Sequence, residues 1–303
     1  MPARIHGILV TYHRPDALAA MVEQLAEIGL ATLTVVDNGP SPESKEAAHK
    51  AAARVPTTYI EMSENTGPAG GYERGMGSVL ETADAEDWML VLDDDRLTGS
   101  TETAVALRDF AVRLVEGGER LGAVGQMGSR FDPRLGRLHR LPDEELVGAV
   151  KVDYVAGGQM LMIRVAAARE VGVFDADLFF AFDDLDYCLR LARAGYSIYV
   201  HGSSGIEARE RFGRLGTVGR VERRGSPWRR YYSVRNHILI MRRYTTWPSA
   251  VFVTLAHLFG RPVRELTRRQ PGRLALISAS TRGCVDAWRG RLGRTMEPGP
   301  GAN

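Results

Sequence analysis

Three adjacent carboxylates, Asp93-Asp94-Asp95, close an apolar run that starts at Trp88-Met89 and continues through Leu90-Val91-Leu92. Such a run has the composition of a buried strand, with the carboxylates where its C-terminal end leaves a sheet. Open α/β sheets bind ligands at that edge. Like charges this close are costly to take out of water; a divalent metal carrying a phosphorylated ligand would balance them, and an acidic turn in solvent would need no such partner. A second cluster, Asp183, Asp184 and Asp186, follows Phe179-Phe180-Ala181-Phe182 and opens a helical pattern in which Leu185, Leu189 and Ala192 share a face. Carboxylates in a first turn complement the helix dipole, but capping accounts for one Asp and hardly for three. The strand read at 196–200 delivers His201, a residue type that serves as a metal ligand and is also common at ordinary strand ends. Together these groups describe a metal site facing a candidate base, which suits a pyrophosphate-activated donor. Mg²⁺ or Mn²⁺ on the two phosphates would stabilise charge on the leaving group while a carboxylate on the far side deprotonates an acceptor hydroxyl.

The elements that must position these groups follow from periodicity. Residues 5–11 read as a buried strand; Arg14-Pro15-Asp16 then opens a helix carried by Leu18, Met21, Val22 and Leu25 and closed at Gly29. A second strand at 33–36 ends in Asp37-Asn38-Gly39-Pro40, completing a βαβ unit with parallel strands and a right-handed crossover. Asp37 could accept from a nucleoside base or ribose, and Asp-Asn-Gly is equally a turn sequence. A helix at 44–54 and a strand at 57–61 lead to the glycine-rich stretch 65–75. That stretch matches neither a P-loop nor Gly-x-Gly-x-x-Gly, so it predicts a close backbone approach followed by a helix over about 71–82. A helix at 101–116 and a strand at 121–127 follow. The polar segment 129–145, with Pro133, Pro142 and several arginines, reads as a long loop over the active edge. Apolar runs at 152–156 and 160–163 flank Gly157-Gly158, where small residues would let a substrate pack against backbone.

With 303 residues the chain suits one large domain carrying an appendage. A net charge of +2 conceals an asymmetry, since residues 206–294 hold 20 Arg and no Lys against 5 acidic residues, leaving the preceding part net acidic. Cys188 and Cys284 are far apart and outside any Cys-x-x-Cys pair, which argues against a zinc ribbon or disulfide scaffold and fits a reducing cytoplasm. The N-terminal apolar stretch is short for a signal peptide, and no run reaches the roughly 18 residues of a spanning helix. From about residue 205 Arg-rich helices are expected. The apolar run 250–259 suits either a helix docked on the core with an Arg-rich solvent face or an element lying on an anionic membrane surface. No nucleic-acid motif accompanies the basic residues, so no nucleic-acid partner is expected.

Taken in order, these segments resemble the glycosyltransferase family 2 enzymes of GT-A fold, in the branch containing rhamnosyl- and galactofuranosyltransferases, over about residues 5–241. The resemblance implies an α/β fold, a Rossmann-like, mostly parallel sheet flanked by helices. Its catalytic domain would occupy 1–215, with a nucleotide-sugar half to about 100 and an acceptor half beyond. A basic helical extension over 216–303 would follow, flexible from about 295. Thr11, Tyr12 and Arg14, Asp37, the segment with Asn65, Gly70, Gly71 and Arg74, and Asp93 and Asp94 are then expected to bind a UDP- or dTDP-sugar. Asp93, Asp95 and His201 are expected to hold Mg²⁺ or Mn²⁺. Phe182-Asp183-Asp184-Leu185-Asp186 matches a segment that usually reads Glu-Asp-x-Asp, implying Asp184 as catalytic base, with Asp183 in place of the Glu. Gly157, Gly158, Phe182 and Asp183 would meet the acceptor, a glycan, lipid-linked saccharide or small glycosylated metabolite. Tyr231-Tyr232-x-x-Arg235-Asn236 matches a recurrent segment of the branch to which no chemistry is assigned. Further partners expected are an anionic membrane at the cytoplasmic inner face and a second copy through the C-terminal helices. A sugar-phosphate nucleotidyltransferase should show a glycine-rich, Lys/Arg-bearing signature after its first strand, which residues 10–15 do not provide. A non-catalytic nucleotide-sugar-binding module would have no use for Asp184 opposite a metal motif.

Overall fold

The computed structural model describes residues 3–94, 99–158, 160–216, 226–267 and 272–297. The first half comprises β1 (Ile5–Thr11), α1 (Pro15–Leu25), β2 (Thr32–Asp37), α2 (Pro42–Ala52), β3 (Thr57–Glu61), α3 (Gly67–Leu80), β4 (Trp88–Asp93) and α4 (Thr101–Glu116). Next come β5 (Leu121–Gly125), β6 (Gly128–Asp132), β7 (Arg137–Arg140), β8 (Ala149–Val152), β9 (Tyr154–Val155) and β10 (Leu161–Arg164). The chain continues through α5 (Val165–Val171), α6 (Asp183–Arg193), β11 (Ser197–His201) and α7 (Gly202–Arg211). A C-terminal bundle follows: α8 (Pro227–Tyr244), α9 (Trp247–Leu255), a π-helical turn (Ala256–Gly260), α10 (Arg261–Thr267) and α11 (Arg273–Arg289).

Eight strands form the main sheet in the order β3-β2-β1-β4-β10-β5-β11-β8, mostly parallel, with β10 antiparallel to both its neighbours and β8 antiparallel to β11. Every residue of β1 is buried, because helices cover both faces of the sheet, and this explains continuous apolar runs in place of alternation. Ile5 and Leu9 pack toward α1, α2 and α4, whereas Ile8 and Val10 pack toward α3, α5 and α6. Register pairs Thr11 with Asp37 and Val10 with Asp93, so the three strand ends share one edge. The strand order reverses between β1 and β4, the switch point at which such sheets open a crevice.

Two segments depart from the sequence expectation. The helix expected from about residue 71 begins at Gly67, within the glycine-rich stretch. The close approach is made to the sheet: a Cβ on Gly71 would stand 2.5 Å from Val10 Cγ1. The supposed loop 129–145 is largely the antiparallel hairpin β6–β7, which joins β9 in a three-stranded sheet. The strand expected to reach 127 ends at Gly125.

In the bundle, Val234, Ile238 and Met241 of α8 pack with Ala250 and Val253 of α9 and Cys284 and Ala287 of α11. Both cysteines are buried free thiols. The tail expected to be flexible from about 295 is tied to α8 at Thr295 and Met296, whose N–H groups donate to Tyr232 Oη at 3.0 Å. The solvent side of α9–α10 is not the Arg-rich face considered above: Phe252, Leu255, Phe259, Val263 and Leu266 are exposed, Phe259 by 63%. Among the described residues no helix is long and apolar enough to cross a membrane.

An ionic group centred on the buried Asp87 fastens the start of β1 to that of β4. Arg4 donates to Asp87 through its backbone N–H at 2.9 Å and its Nε at 3.1 Å, and His6 Nε2 lies 3.1 Å from the same carboxylate. Burial by itself would raise the Asp87 pKa; the Arg4 guanidinium and N–H, His6 and the Asp84 N–H outweigh it and hold the value at about 2. Depression in the folded state means stability that is present above the unfolded carboxylate range and is lost as pH falls through the folded value. Urea unfolding should therefore show a loss of about 2 kcal/mol between about pH 5 and pH 2 attributable to Asp87, and Asp87→Asn should be less stable near neutrality but flatter in that window. An unchanged acid slope in the variant would remove Asp87 from this role.

Candidate active site

The crevice between β1 and β4 holds a cavity of about 200 Å³. Val10, Thr11, Tyr12 and Arg14 supply one wall, Asn65 to Pro68 another, and Asp93 and Asp94 the floor, while Phe179, Phe180, Trp228 and Arg229 close it from the second half of the chain. Six expected donor-binding residues, Thr11, Tyr12, Arg14, Asn65, Asp93 and Asp94, thus converge. Asp94 accepts from Thr11 Oγ1 and Arg14 Nη1, each at 2.7 Å, and so sets the guanidinium at the wall. Asn65 accepts from the Gly67 N–H at 2.8 Å and shapes the entry to α3.

The other expected donor contacts are placed differently. Asp37 is fully buried and accepts from the Gly39 N–H at 2.9 Å and from Tyr59 Oη at 2.8 Å, fulfilling the turn alternative and standing outside the cavity lining. Gly70 and Gly71 lie in the buried first turns of α3, against Thr66 and Val10, and Arg74 is exposed one turn further on.

Two carboxylates from opposite halves of the chain meet the turn at Gly157-Gly158. Asp184 Oδ2 accepts from the Gly157 N–H at 3.0 Å and from Tyr154 Oη at 2.7 Å, and its Oδ1 from the Leu185 N–H at 2.8 Å. Gly158, at φ +70°, lies against Asp93; any Cβ there would collide with that carboxylate. Asp93 in turn accepts from Tyr72 Oη. Burial raises the Asp184 pKa against the opposing pull of Tyr154, Gly157 and Leu185. Asp183, 7% exposed, is pushed well above the usual carboxylate range by burial, then by Asp184, with Asp93 adding to it. A carboxylate that is hydrogen-bonded in place yet more basic than usual is equipped to accept a proton. Asp186 differs: at 1% exposure it accepts from Arg190, Arg243 and Tyr244 at 2.9, 3.1 and 2.8 Å, tying α6 to α8. Phe182 caps α6 at φ 65° and stacks on His237 with ring centroids 5.0 Å apart.

Of the expected metal ligands, Asp95 lies outside the described residues. The His201 Nδ1 lies 2.7 Å from Ser204 Oγ and its ring packs 4.8 Å from Phe110 of α4. Its strand is three positions from β4, roughly 14 Å at the usual strand spacing. Among the described residues no group of three or more His, Cys, Asp or Glu is arranged to hold a metal ion. Oxygen donors suit a hard divalent cation, and Asp93 presents them at the cavity floor two residues before Asp95; His201 does not join that set in this conformation.

Sequence reasoning passed over Tyr72 and Tyr154, which hold the two carboxylates, and Phe180, Trp228 and Arg229, which close the cavity. Tyr72, directly after two glycines, and Tyr154, breaking an apolar run, were the available signals. Phe180 belongs to the aromatic run before Asp183, and nothing local marks Trp228 or Arg229.

Residues 2–214 match the family described as "Glycosyltransferase like family 2". The chain is 28% identical over 209 residues to galactofuranosyltransferase GlfT1 of Mycobacterium tuberculosis, covering 64% of this chain and 66% of that protein. The Mycolicibacterium smegmatis protein of the same name is 28% identical over 206 residues, covering 62% and 65%. The chain therefore spans just under two thirds of the length of these relatives. In fold it is similar to S. aureus TarS, at TM-score 0.53 and 15% identity over 94% of this chain and 54% of that one. A shorter TarS chain, residues 1–349 in complex with UDP, gives TM-score 0.52 and 14% identity over 94% and 89%. With the crevice, its carboxylates and a family match over most of its length, the chain belongs to the glycosyltransferase-like family 2.

Proposed function

We propose that this chain is an inverting, metal-dependent glycosyltransferase that moves a sugar from a UDP- or dTDP-sugar to an acceptor hydroxyl on a glycan, lipid-linked saccharide or small glycosylated metabolite. The observation that carries it is the meeting of Asp93 and Asp184 at the Gly157-Gly158 turn, beside the switch-point crevice. Asp184 takes the acceptor proton as the hydroxyl attacks the anomeric carbon; Tyr154 and Gly157 fix the carboxylate that receives it. Asp93 with Asp95 would hold Mg²⁺ or Mn²⁺, which when bound neutralises charge on the departing diphosphate. Arg14 at the cavity wall adds a fixed cation beside the same phosphates. Gly157 and Gly158 let the backbone pack directly against Asp184 and Asp93, and the acceptor would approach Asp184 beside that turn, with Asp183 and Phe182 at its edge. A single in-line displacement with one base inverts the anomeric centre.

Transfer is tested by nucleotide diphosphate release and product NMR across UDP-, dTDP-, GDP- and CDP-sugars. Asp184→Asn keeps shape and capping but removes the proton acceptor, so the rate should fall about 10²–10⁴-fold. EDTA should abolish turnover. Near wild-type transfer by Asp184→Asn, a retained anomeric configuration, or turnover undiminished in chelator would each overturn the corresponding step.

Tyr154 supplies a finer test. Its O–H donates to the charged form of Asp184, so Tyr154→Phe should raise the Asp184 pKa further and move the acid limb of the rate profile to higher pH. An acid limb that stays in place would separate Tyr154 from the base.

The partner surface we propose is the exposed side of α9–α10, where Phe252, Leu255, Phe259, Val263 and Leu266 recur at helical spacing with Trp247 at one end, 70% exposed. Apolar side chains on a helix in an arginine-rich region suit the interface of an anionic membrane. The protein should co-sediment with anionic liposomes at low salt and less at high salt, and Phe259→Ser should weaken that binding. Failure to sediment, with concentration-dependent dimerisation lost in the same variant, would assign the face to a second copy.

A further inference from the structure

The loop that delivers Asp183 and Asp184 has an unusual backbone. Phe179, Ala181 and Phe182 all have positive φ, at 61°, 66° and 65°, and none is glycine. Each such residue is strained and persists only where surrounding structure enforces it. The enforcement comes from α8. Asn236 Nδ2 points at the carbonyls of Leu178, Phe180 and Ala181, each at 2.8 Å. Its Oδ1 accepts from Arg235 Nε at 2.9 Å, which fixes the amide orientation. Arg235 Nη2 donates to the carbonyls of Asp177 and Leu178 at 3.2 and 2.9 Å, and Nη1 to that of Gly293 at 2.7 Å. Both side chains are fully buried. The Gly293 N–H donates to the Asp177 carbonyl at 2.7 Å, closing the bracket from the far side.

We propose that Arg235 and Asn236 are positioning residues for the transfer reaction, clamping the 177–182 backbone so that α6 starts where Asp184 meets Gly157. The proposal rests on Asp184 as the base. Loss of the clamp lets the three left-handed residues relax toward ordinary φ, and the first carboxylates of α6 shift with them. A misplacement of about 1 Å costs on the order of 10²-fold in rate, while Thr11, Arg14 and Asp93, on and beside β1 and β4, keep their places and only Phe179 and Phe180 carry the shift into the cavity wall.

The test uses the full chain as Asn236→Ala and Arg235→Lys. Tyr232→Phe is the control: it removes the hydroxyl that binds Thr295 and Met296 but leaves the 177–182 carbonyls untouched. Asn236→Ala should lower kcat about 10²-fold, with nucleotide diphosphate affinity by calorimetry falling by less than kcat does, since Phe179 and Phe180 of the loop line the donor cavity but Asp184 carries the chemistry. Amide hydrogen exchange should accelerate across 179–186 in Asn236→Ala, and Arg235→Lys should fall between it and wild type. Tyr232→Phe should lower Tm while keeping kcat and protection of 179–186. Unchanged exchange in that segment, or kcat preserved in Asn236→Ala, would overturn the proposal. Equal losses of kcat and nucleotide binding in all variants, in step with Tm, would do the same. Absence of transfer by the wild-type chain from every donor would instead reject Asp184 as a base, with the exchange result still deciding whether the clamp sets the loop.

Discussion

Asp93, Asp183 and Asp184 bring like charges together beside the crevice, and Asp183 feels both of the others as well as its own burial. Such a cluster survives folding only if hydrogen-bond donors stand ready for it, because unpaired buried charge is among the most costly things a protein can hold. Tyr72 and Tyr154 each spend a hydroxyl on it, and the Gly157 N–H and the N–H groups opening α6 add backbone dipoles. Gly158 is needed for a steric reason: only a residue without Cβ can sit against Asp93 at that backbone conformation. Sheet order, the double-glycine turn and the start of α6 therefore answer one electrostatic problem.

The C-terminal bundle enters the same solution. Trp228 and Arg229 wall the cavity, Asp186 is paired with Arg243 and accepts from Tyr244, and the backbone before α6 is held by Arg235 and Asn236. An arginine-rich segment that composition suggests is a solvated appendage thus puts several of its cations and donors inward. What it leaves toward solvent on α9–α10 is largely apolar, with Arg264 among it.

Much of this was legible in residue order because burial on both faces of a sheet leaves a plain signature. The strands ending at Thr11, Asp37 and Asp93 and the helix opening at Asp183 follow from apolar runs and turn residues. The β6–β7 hairpin did not, since Ser129 to Asp132 and Arg137 to Arg140 are mostly half-exposed and polar, so no alternation marks them. The glycine-rich start of α3 was misplaced because small residues read as loop when the reason for them, contact with β1, lies elsewhere in the chain. The donor role given to Asp37 met a competing local use, and the direction of His201 depends on Phe110, a neighbour that spacing cannot reveal. Tyr231 to Asn236 had a recognisable pattern without chemistry because the partners of Arg235 and Asn236 are mainly backbone carbonyls, which no sequence motif displays.

The donors that Arg235 and Asn236 offer to the 177–182 carbonyls lie 55 to 58 residues downstream. At a synthesis rate of about 5–20 residues per second, the loop leaves the ribosome roughly 3 to 12 s before its holders exist. During that interval β1 to β4 have every partner they need, while the backbone ahead of α6 has none of the α8 donors that enforce its left-handed residues. The nascent chain can therefore pair β1 to β4 and align their ends before the backbone ahead of Asp183 and Asp184 is set and before Trp228 and Arg229 close the cavity.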